Sequence, residues 1–363
     1  MESLPDAVVQ YILSTINNAK DVASCNCVSK KWKDSMPYVK SLFFPRSVFD
    51  SLKSGQTSDC IVMRIVSTVS QLEDLVVYCP FTNAGLASWL SVVGLSLKNL
   101  ELRMDNLVDQ SATNGSPSKV ECIQAARNLE SLRLWGVLMV DAPKWDVFHK
   151  LQNLEIVGAK LEDSALAEAL RATPNLTRLV LLRCEGLSTV WIELNHLEHC
   201  KLDFDCLGSC SLTLTAPRIE YLEVQGCSLI RVRETKCLKN LSIANNTGRV
   251  YMVDFGKLTA LESLSIRGVQ WCWDAIHKML QLASEVDSSF VIPYLQEVAV
   301  TVRSPLNAEQ KINTLESLVK FGKKLKKLKI KILGMKSGHS SADDFFEEIF
   351  MLKYMNPSLI SIE

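Results

Sequence analysis

Hydrophobic and polar positions along this chain repeat as a hexamer that is apolar at its first, fourth and sixth places. Copies stand at 72–77 (LEDLVV), 97–102 (LKNLEL), 129–134 (LESLRL), 151–156 (LQNLEI), 176–181 (LTRLVL), 197–202 (LEHCKL), 219–224 (IEYLEV), 238–243 (LKNLSI), 261–266 (LESLSI), 295–300 (LQEVAV) and 325–330 (LKKLKI). They begin 19 to 34 residues apart. Each copy predicts a short β-strand, because alternate residues of a strand face opposite ways. The fourth and sixth places then point into a core, while the third, fifth and seventh point outward. Stacked in parallel, such strands bury one leucine ladder and leave a second ladder facing solvent.

Between the strands, apolar residues at helical spacing predict helices at Ala84 to Val93, Lys119 to Ala126, Ser164 to Ala172, Trp273 to Ser284, Glu309 to Phe321 and Ala342 to Tyr354. From Leu176 to Ile243 the hexamers stand too close for a full helix. There CEGLSTVWI and CSLIRVRE read as tight turns and short extended pieces. Val39 to Phe44 and Leu359 to Ile362 read as irregular first and last strands, since terminal repeats cap an exposed core. Residues 1–40 follow another pattern. Pro5 suits the first turn of a helix, where its missing N–H costs nothing, and Asp6 favours the positive helix end. Val8, Val9, Ile12, Leu13 and Ile16 form an apolar stripe. Asp21 opens a second helical pattern, and Val28 and Trp32 share a face of a third.

Composition narrows the roles open to such a chain. It has 363 residues, 40 basic and 40 acidic side chains, and 47% hydrophobic content. That length allows two or three ordinary domains, or one continuous repeat unit. Zero net charge argues against nucleic acid as a partner, because that affinity rests on phosphate neutralisation by Lys and Arg. Glu2, Asp6 and Gln10 interrupt any apolar signal segment, and no run reaches the roughly 18 apolar residues of a membrane span. The expectation is a soluble protein of the cytoplasm and/or nucleus, with no membrane partner. The 12 cysteines lie in apolar contexts without a regular framework and read as reduced, buried thiols.

Candidate chemistry is sparse. His196, His199, Cys200, Cys206 and Cys210 form a metal-like cluster, but Cys200 holds a core place of its hexamer while His199 points outward, so no metal site is expected. No P-loop, nucleophile elbow or Cys–His pair is present, so no catalytic residue and no cofactor are expected. The lysine run from Lys320 to Ile332 alternates with Leu325, Leu328 and Ile330 and reads as the solvated face of one strand.

From about residue 39 onward the hexamer and its spacing resemble leucine-rich-repeat proteins, whose repeats run about 20–29 residues. Few copies carry the Asn or Cys that turns the chain after the strand in that family. The N-terminal segment resembles an F-box through Leu4, Pro5, Asp6, Val9, Ile12, Leu13, Asp21, Val22, Val28, Lys30 and Trp32, with Asn17-Asn18-Ala19 where that family more often has Leu-Pro. Together they resemble the F-box/leucine-rich-repeat family, which is numerous in plants. The resemblance implies an α/β solenoid. A small three-helix F-box at 1–40 would precede a leucine-rich-repeat horseshoe at 41–363, with about 11–13 irregular repeats and its parallel sheet on the concave face.

The resemblance also implies a non-catalytic, substrate-receptor subunit of an SCF-type cullin–RING ubiquitin ligase. Leu4, Pro5, Ile12, Leu13, Val28 and Trp32 would contact the Skp-type adaptor, and through it the cullin and RING subunits. A scaffold that binds the adaptor outside any ligase is the alternative. A target protein would lie on the outward ladder. Arg and aromatic residues are the commonest hot spots of protein interfaces, which nominates Arg103, Arg133, Trp135, Arg178, Tyr221 and Arg267. Family members that enclose a small ligand have a longer, closed solenoid, so none is expected here.

Overall fold

The computed structural model describes residues 4–49, 57–106, 120–205, 210–250, 252–255, 258–271, 294–302, 308–333 and 340–363. Two compact units divide the chain, Met1–Leu176 and Thr177–Glu363.

In the first unit three helices precede the sheet: α1 (Asp6–Thr15), α2 (Ala19–Asn26) and α3 (Lys30–Asp34). Pro5 stands at the N-cap of α1. The Asn18 side chain caps α2 by accepting the Lys20 N–H at 3.0 Å, a role open to Asn because its oxygen reaches an otherwise orphaned donor. The α1–α2 linker also reaches the sheet, where the Phe43 N–H donates to the Asn17 carbonyl at 2.7 Å.

That sheet is parallel and runs β1 (Ser41–Phe44), β2 (Asp74–Val77), β3 (Asn99–Arg103), β4 (Ser131–Trp135) and β6 (Asn153–Val157). Two short strands, β5 (Leu138–Met139) and β7 (Lys160–Leu161), pair with each other. Each strand begins at the third place of its hexamer. Leu75, Leu100, Leu132 and Leu154 lie side by side in register, as do Val77, Leu102, Leu134 and Ile156, and all eight are buried. The first-place residues Leu72, Leu97, Leu129 and Leu151 are buried in the approach to each strand.

Three helices return the chain: α4 (Ser58–Val66), α5 (Asn83–Val93) and α6 (Asp163–Arg171). The hydrophobic pattern did not reveal α4, which buries only Val62 and Val66 of its own residues. Instead of the helix expected at Lys119 to Ala126, Glu121–Ala125 forms a tighter 3₁₀ turn.

The second unit continues the pattern with parallel strands β8 (Arg178–Cys184), β10 (His199–Phe204), β12 (Tyr221–Gln225), β14 (Asn240–Val250), β16 (Ser263–Trp271), β17 (Glu297–Val302), β18 (Lys327–Ile332) and β19 (Ile360–Ile362). A second parallel sheet is built from β15 (Met252–Asp254), β13 (Cys227–Arg233), β11 (Cys210–Thr215) and β9 (Thr189–Glu193). The extended pieces read from CEGLSTVWI and CSLIRVRE are therefore strands, and they stack on one another. A strand rises more than twice as far per residue as a helix, so a short return can be closed only by extended chain. Val190, Ile192, Leu212, Leu214, Ile230 and Val232 form the buried ladder of this second sheet.

Helices α7 (Ala308–Phe321) and α8 (Ser340–Met355) match the last two helical patterns. The helix expected at 273–284 lies outside the described residues. Among the described residues no helix is long and apolar enough to cross a membrane, and no group of three or more His, Cys, Asp or Glu is placed to hold a metal. The described cysteines are free thiols. Cys79, Cys184, Cys200, Cys210 and Cys227 are buried, and burial pushes the Cys200 thiol up to about 12, but Cys27, Cys60 and Cys237 are exposed, contrary to the expectation of buried thiols.

Several strands end in a glycine with positive φ, among them β6 at Gly158 (φ 61°) and β12 at Gly226 (φ 88°). Glycine thus makes turns for which the repeat consensus would use Asn or Cys. The two positions differ in their surroundings. A Cβ on Gly158 meets nothing within 4 Å, whereas one on Gly226 falls 2.0 Å from the Phe204 carbonyl oxygen. Gly158→Ala is therefore expected to cost about 1–2 kcal/mol, the left-handed backbone penalty alone. Gly226→Ala is expected to cost roughly 3 kcal/mol or more, because backbone must move. Urea unfolding of both variants measures the difference.

Candidate functional site

The N-terminal helices have a small core of their own. Val9, Leu13, Val22 and Trp32 are buried, and Lys31 ties α3 to the start of α1 through Asp6 at 2.7 Å and through the Leu4 carbonyl. The Trp32 indole N–H is buried and has no acceptor among the described residues. Pro5, Val8 and Tyr11 follow one another at helical spacing and all are exposed, Tyr11 to 71%. Val28 and Tyr38 are exposed as well. An apolar helix face left in water by its own module is a surface suited to another protein.

On the outward ladder of the first unit, strand register arranges side chains in rows. The middle row is Val76, Glu101, Arg133 and Glu155. Arg133 donates to Glu101 through Nη1 and to Glu155 through Nε, both at 2.9 Å. Glu101 also accepts from the Trp135 indole at 3.0 Å and from the Tyr78 hydroxyl. In the next row the Arg103 guanidinium lies over the rings of Tyr78 and Trp135, 5.8 and 5.9 Å from their centroids, and pairs with Asp105 at 2.7 Å. Burial and the bond to Glu101 push the Tyr78 hydroxyl up to about 12, so it stays a proton donor at neutral pH. These side chains are held before any partner arrives, which lowers the ordering cost of binding.

The second unit builds a comparable cluster around Glu223. This carboxylate accepts from Lys201 at 3.0 Å, Arg267 at 3.1 Å and the Tyr221 hydroxyl at 2.9 Å. Tyr221 stacks on His199 with centroids 4.4 Å apart and planes 6° from parallel, and Arg267 reaches Ser242 at 3.1 Å. Burial alone would raise the Glu223 carboxyl. The Lys201 and Tyr221 bonds and the Lys201 and Arg267 charges outweigh it and hold the group below its ordinary value.

No protein-family model matches the chain. It is, however, 51% identical to an F-box protein of Arabidopsis thaliana, At1g10780, over an alignment of 418 positions that spans the whole of both chains. The chain belongs to the F-box protein family.

In this F-box protein the six nominated N-terminal residues fall into different settings. Pro5 and Val28 are exposed, Leu4 and Ile12 are half-buried, and Leu13 and Trp32 are buried inside the helices, Trp32 to 7% exposure. All six nominated ladder residues face outward. Arg103, Arg133 and Trp135 come together in the first unit, and Tyr221 and Arg267 meet on Glu223 in the second. Arg178 is exposed and no carboxylate among the described residues pairs with it. Val180 and Ala244, also expected to face outward, are buried. Ala244 stands in register between the longer Gln225 and Arg267, and Val180 stands beside Lys201.

Sequence reasoning passed over the residues that organise these clusters: Tyr78, Glu101, Glu155 and Glu223. A signal was present. Glu101, Arg133 and Glu155 occupy the fifth place of successive hexamers, and register sets equal places side by side.

Arg133→Ala leaves two partly buried carboxylates facing each other and is expected to destabilise the first unit by about 1–2 kcal/mol. Arg178→Ala removes no pair and should stay within about 0.5 kcal/mol. Chemical denaturation distinguishes the two. For Glu223, a depressed carboxyl stabilises the folded chain above the unfolded value of that group, and this contribution is lost as pH falls through the folded one. The stability gap between wild type and Glu223→Gln should therefore be largest at neutral pH and shrink on acidification below the ordinary carboxylate range, as thermal melts across pH would record.

Proposed function

We propose that this F-box protein is the substrate-recognition subunit of an SCF-type ubiquitin ligase. Its N-terminal helices dock on the Skp-type adaptor, which links them to the cullin and RING subunits. The parallel strands form a leucine-rich-repeat solenoid whose outward ladder binds a target protein. The chain itself performs no chemistry. A target lysine held near the charged ubiquitin-conjugating enzyme gains a high effective concentration, and that proximity is its contribution to the reaction. Such a subunit works in the cytoplasm and/or the nucleus.

One observation carries this reading. A member of the F-box family leaves the apolar outer face of α1 uncovered at Pro5, Val8 and Tyr11, while its arginine and aromatic clusters stand elsewhere, on the ladder. Within the nominated adaptor set the exposed Pro5 and Val28 are the contact residues, and Leu13 and Trp32 hold the helices that present them.

The test uses the exposed positions, because Leu13 and Trp32 would unfold the module. Full-length wild type should co-purify adaptor and cullin from a plant extract. Tyr11→Glu/Val28→Glu should lose both by about tenfold or more, about 1.4 kcal/mol, with an unchanged circular dichroism spectrum. Arg133→Ala/Trp135→Ala should keep both. Wild type that captures neither sinks the reading, and adaptor without cullin assigns the chain to a scaffold outside the ligase.

A further inference from the structure

The C-terminal helix α8 has two apolar faces, and only one is covered. Phe345, Ile349 and Leu352 are buried. On the other side Phe350, Met351, Tyr354 and Met355 are exposed to 54%, 60%, 82% and 63%. At about 100° per residue these four fall within one arc, opposite the buried three. Large apolar side chains grouped on a surface in this way mark an interaction site.

Two depressions meet at Met351. One of about 720 Å³ is lined by Phe350, Met351, Tyr354 and Pro357 with Glu347 and Lys353. The other, about 650 Å³, runs between α7 and α8. Its floor includes Ile312, Leu352 and Met355, and Glu309, Glu316, Glu347 and Glu348 stand around it. None of these four carboxylates pairs with a Lys or Arg among the described residues. The surface therefore combines flexible methionines, which adapt to varied apolar partners, with four carboxylates against the one cation, Lys353, among its lining residues.

We propose that this α7–α8 face docks a basic amphipathic helix of a partner protein. The apolar stripe of that helix packs on Phe350, Met351, Tyr354 and Met355, and its Lys or Arg residues meet the glutamates. Charge decides against two other occupants. A second copy seated on the same face would set Glu347 and Glu348 against themselves, because a two-fold contact pairs a patch with itself. An anionic lipid surface would be repelled by the same carboxylates.

The probe is a labelled amphipathic peptide of Leu and Lys, roughly 18 residues or five helical turns long, with a Leu and Glu counterpart as control. Fluorescence anisotropy with the full chain at low salt should give micromolar binding of the Lys peptide, and binding by the Glu peptide about tenfold weaker or less. Met351→Ser/Tyr354→Ser and, separately, Glu347→Lys/Glu348→Lys should each weaken the Lys peptide about tenfold with circular dichroism unchanged. Tyr11→Glu/Val28→Glu should leave it unaffected, so this result stands apart from adaptor binding. Three outcomes overturn the proposal: no binding by wild type, equal binding by the variants, or equal binding of both peptides. Self-association of wild type that Met351→Ser abolishes would assign the face to a second copy and overturn it as well.

Discussion

In-register parallel pairing of one hexamer with the next is the constraint on which the other features rest. A strand of four or five residues cannot satisfy its backbone or bury its leucines alone, so each repeat is stable only beside its neighbours. Once register is set, equal places of successive hexamers become lateral neighbours. The buried leucine ladder follows, and so do the polar rows on the opposite side. Glu101, Arg133 and Glu155 form an ion row because each holds the fifth place of its hexamer. The stacking of His199 on Tyr221 has the same origin, two places earlier, at the third place of the hexamer.

The same logic explains what could be read in advance. Strand positions, the buried faces and the outward placement of Arg103, Arg133, Trp135, Tyr221 and Arg267 follow from a two-residue alternation, a local property of the chain. Helix α4 does not stand out, because its sequence, SDCIVMRIV, is a short and nearly continuous apolar run, which periodicity alone does not assign to helix or strand. The second sheet of the Thr177–Glu363 unit was legible only as extended pieces. The segments of β9, β11, β13 and β15 share no repeated hexamer, so nothing in the sequence marks equal places that would set them side by side. Register also explains why the site was half read. Counting hot-spot residue types selects the arginines, whereas the carboxylates that aim them emerge only when strands are set side by side.

The N-terminal helices obey a different physics. Their core is small, Val9, Leu13, Ala19, Val22 and Trp32 with Met36 beside them, too little to cover the apolar side chains of so short a segment. Residues read from the family pattern as a single contact set therefore divide in two. Leu13 and Trp32 are spent on holding the helices together, and Pro5 and Val28 remain outside. A family pattern records both kinds alike, because a residue that holds the helices and a residue that they expose are equally fixed in sequence.

The bond from the Phe43 N–H to the Asn17 carbonyl has an effect beyond fastening the helices. β1 is the first strand of its sheet, and its outer edge would otherwise present unpaired backbone groups to any passing chain. The helix linker occupies part of that edge and so protects the protein against strand-by-strand aggregation.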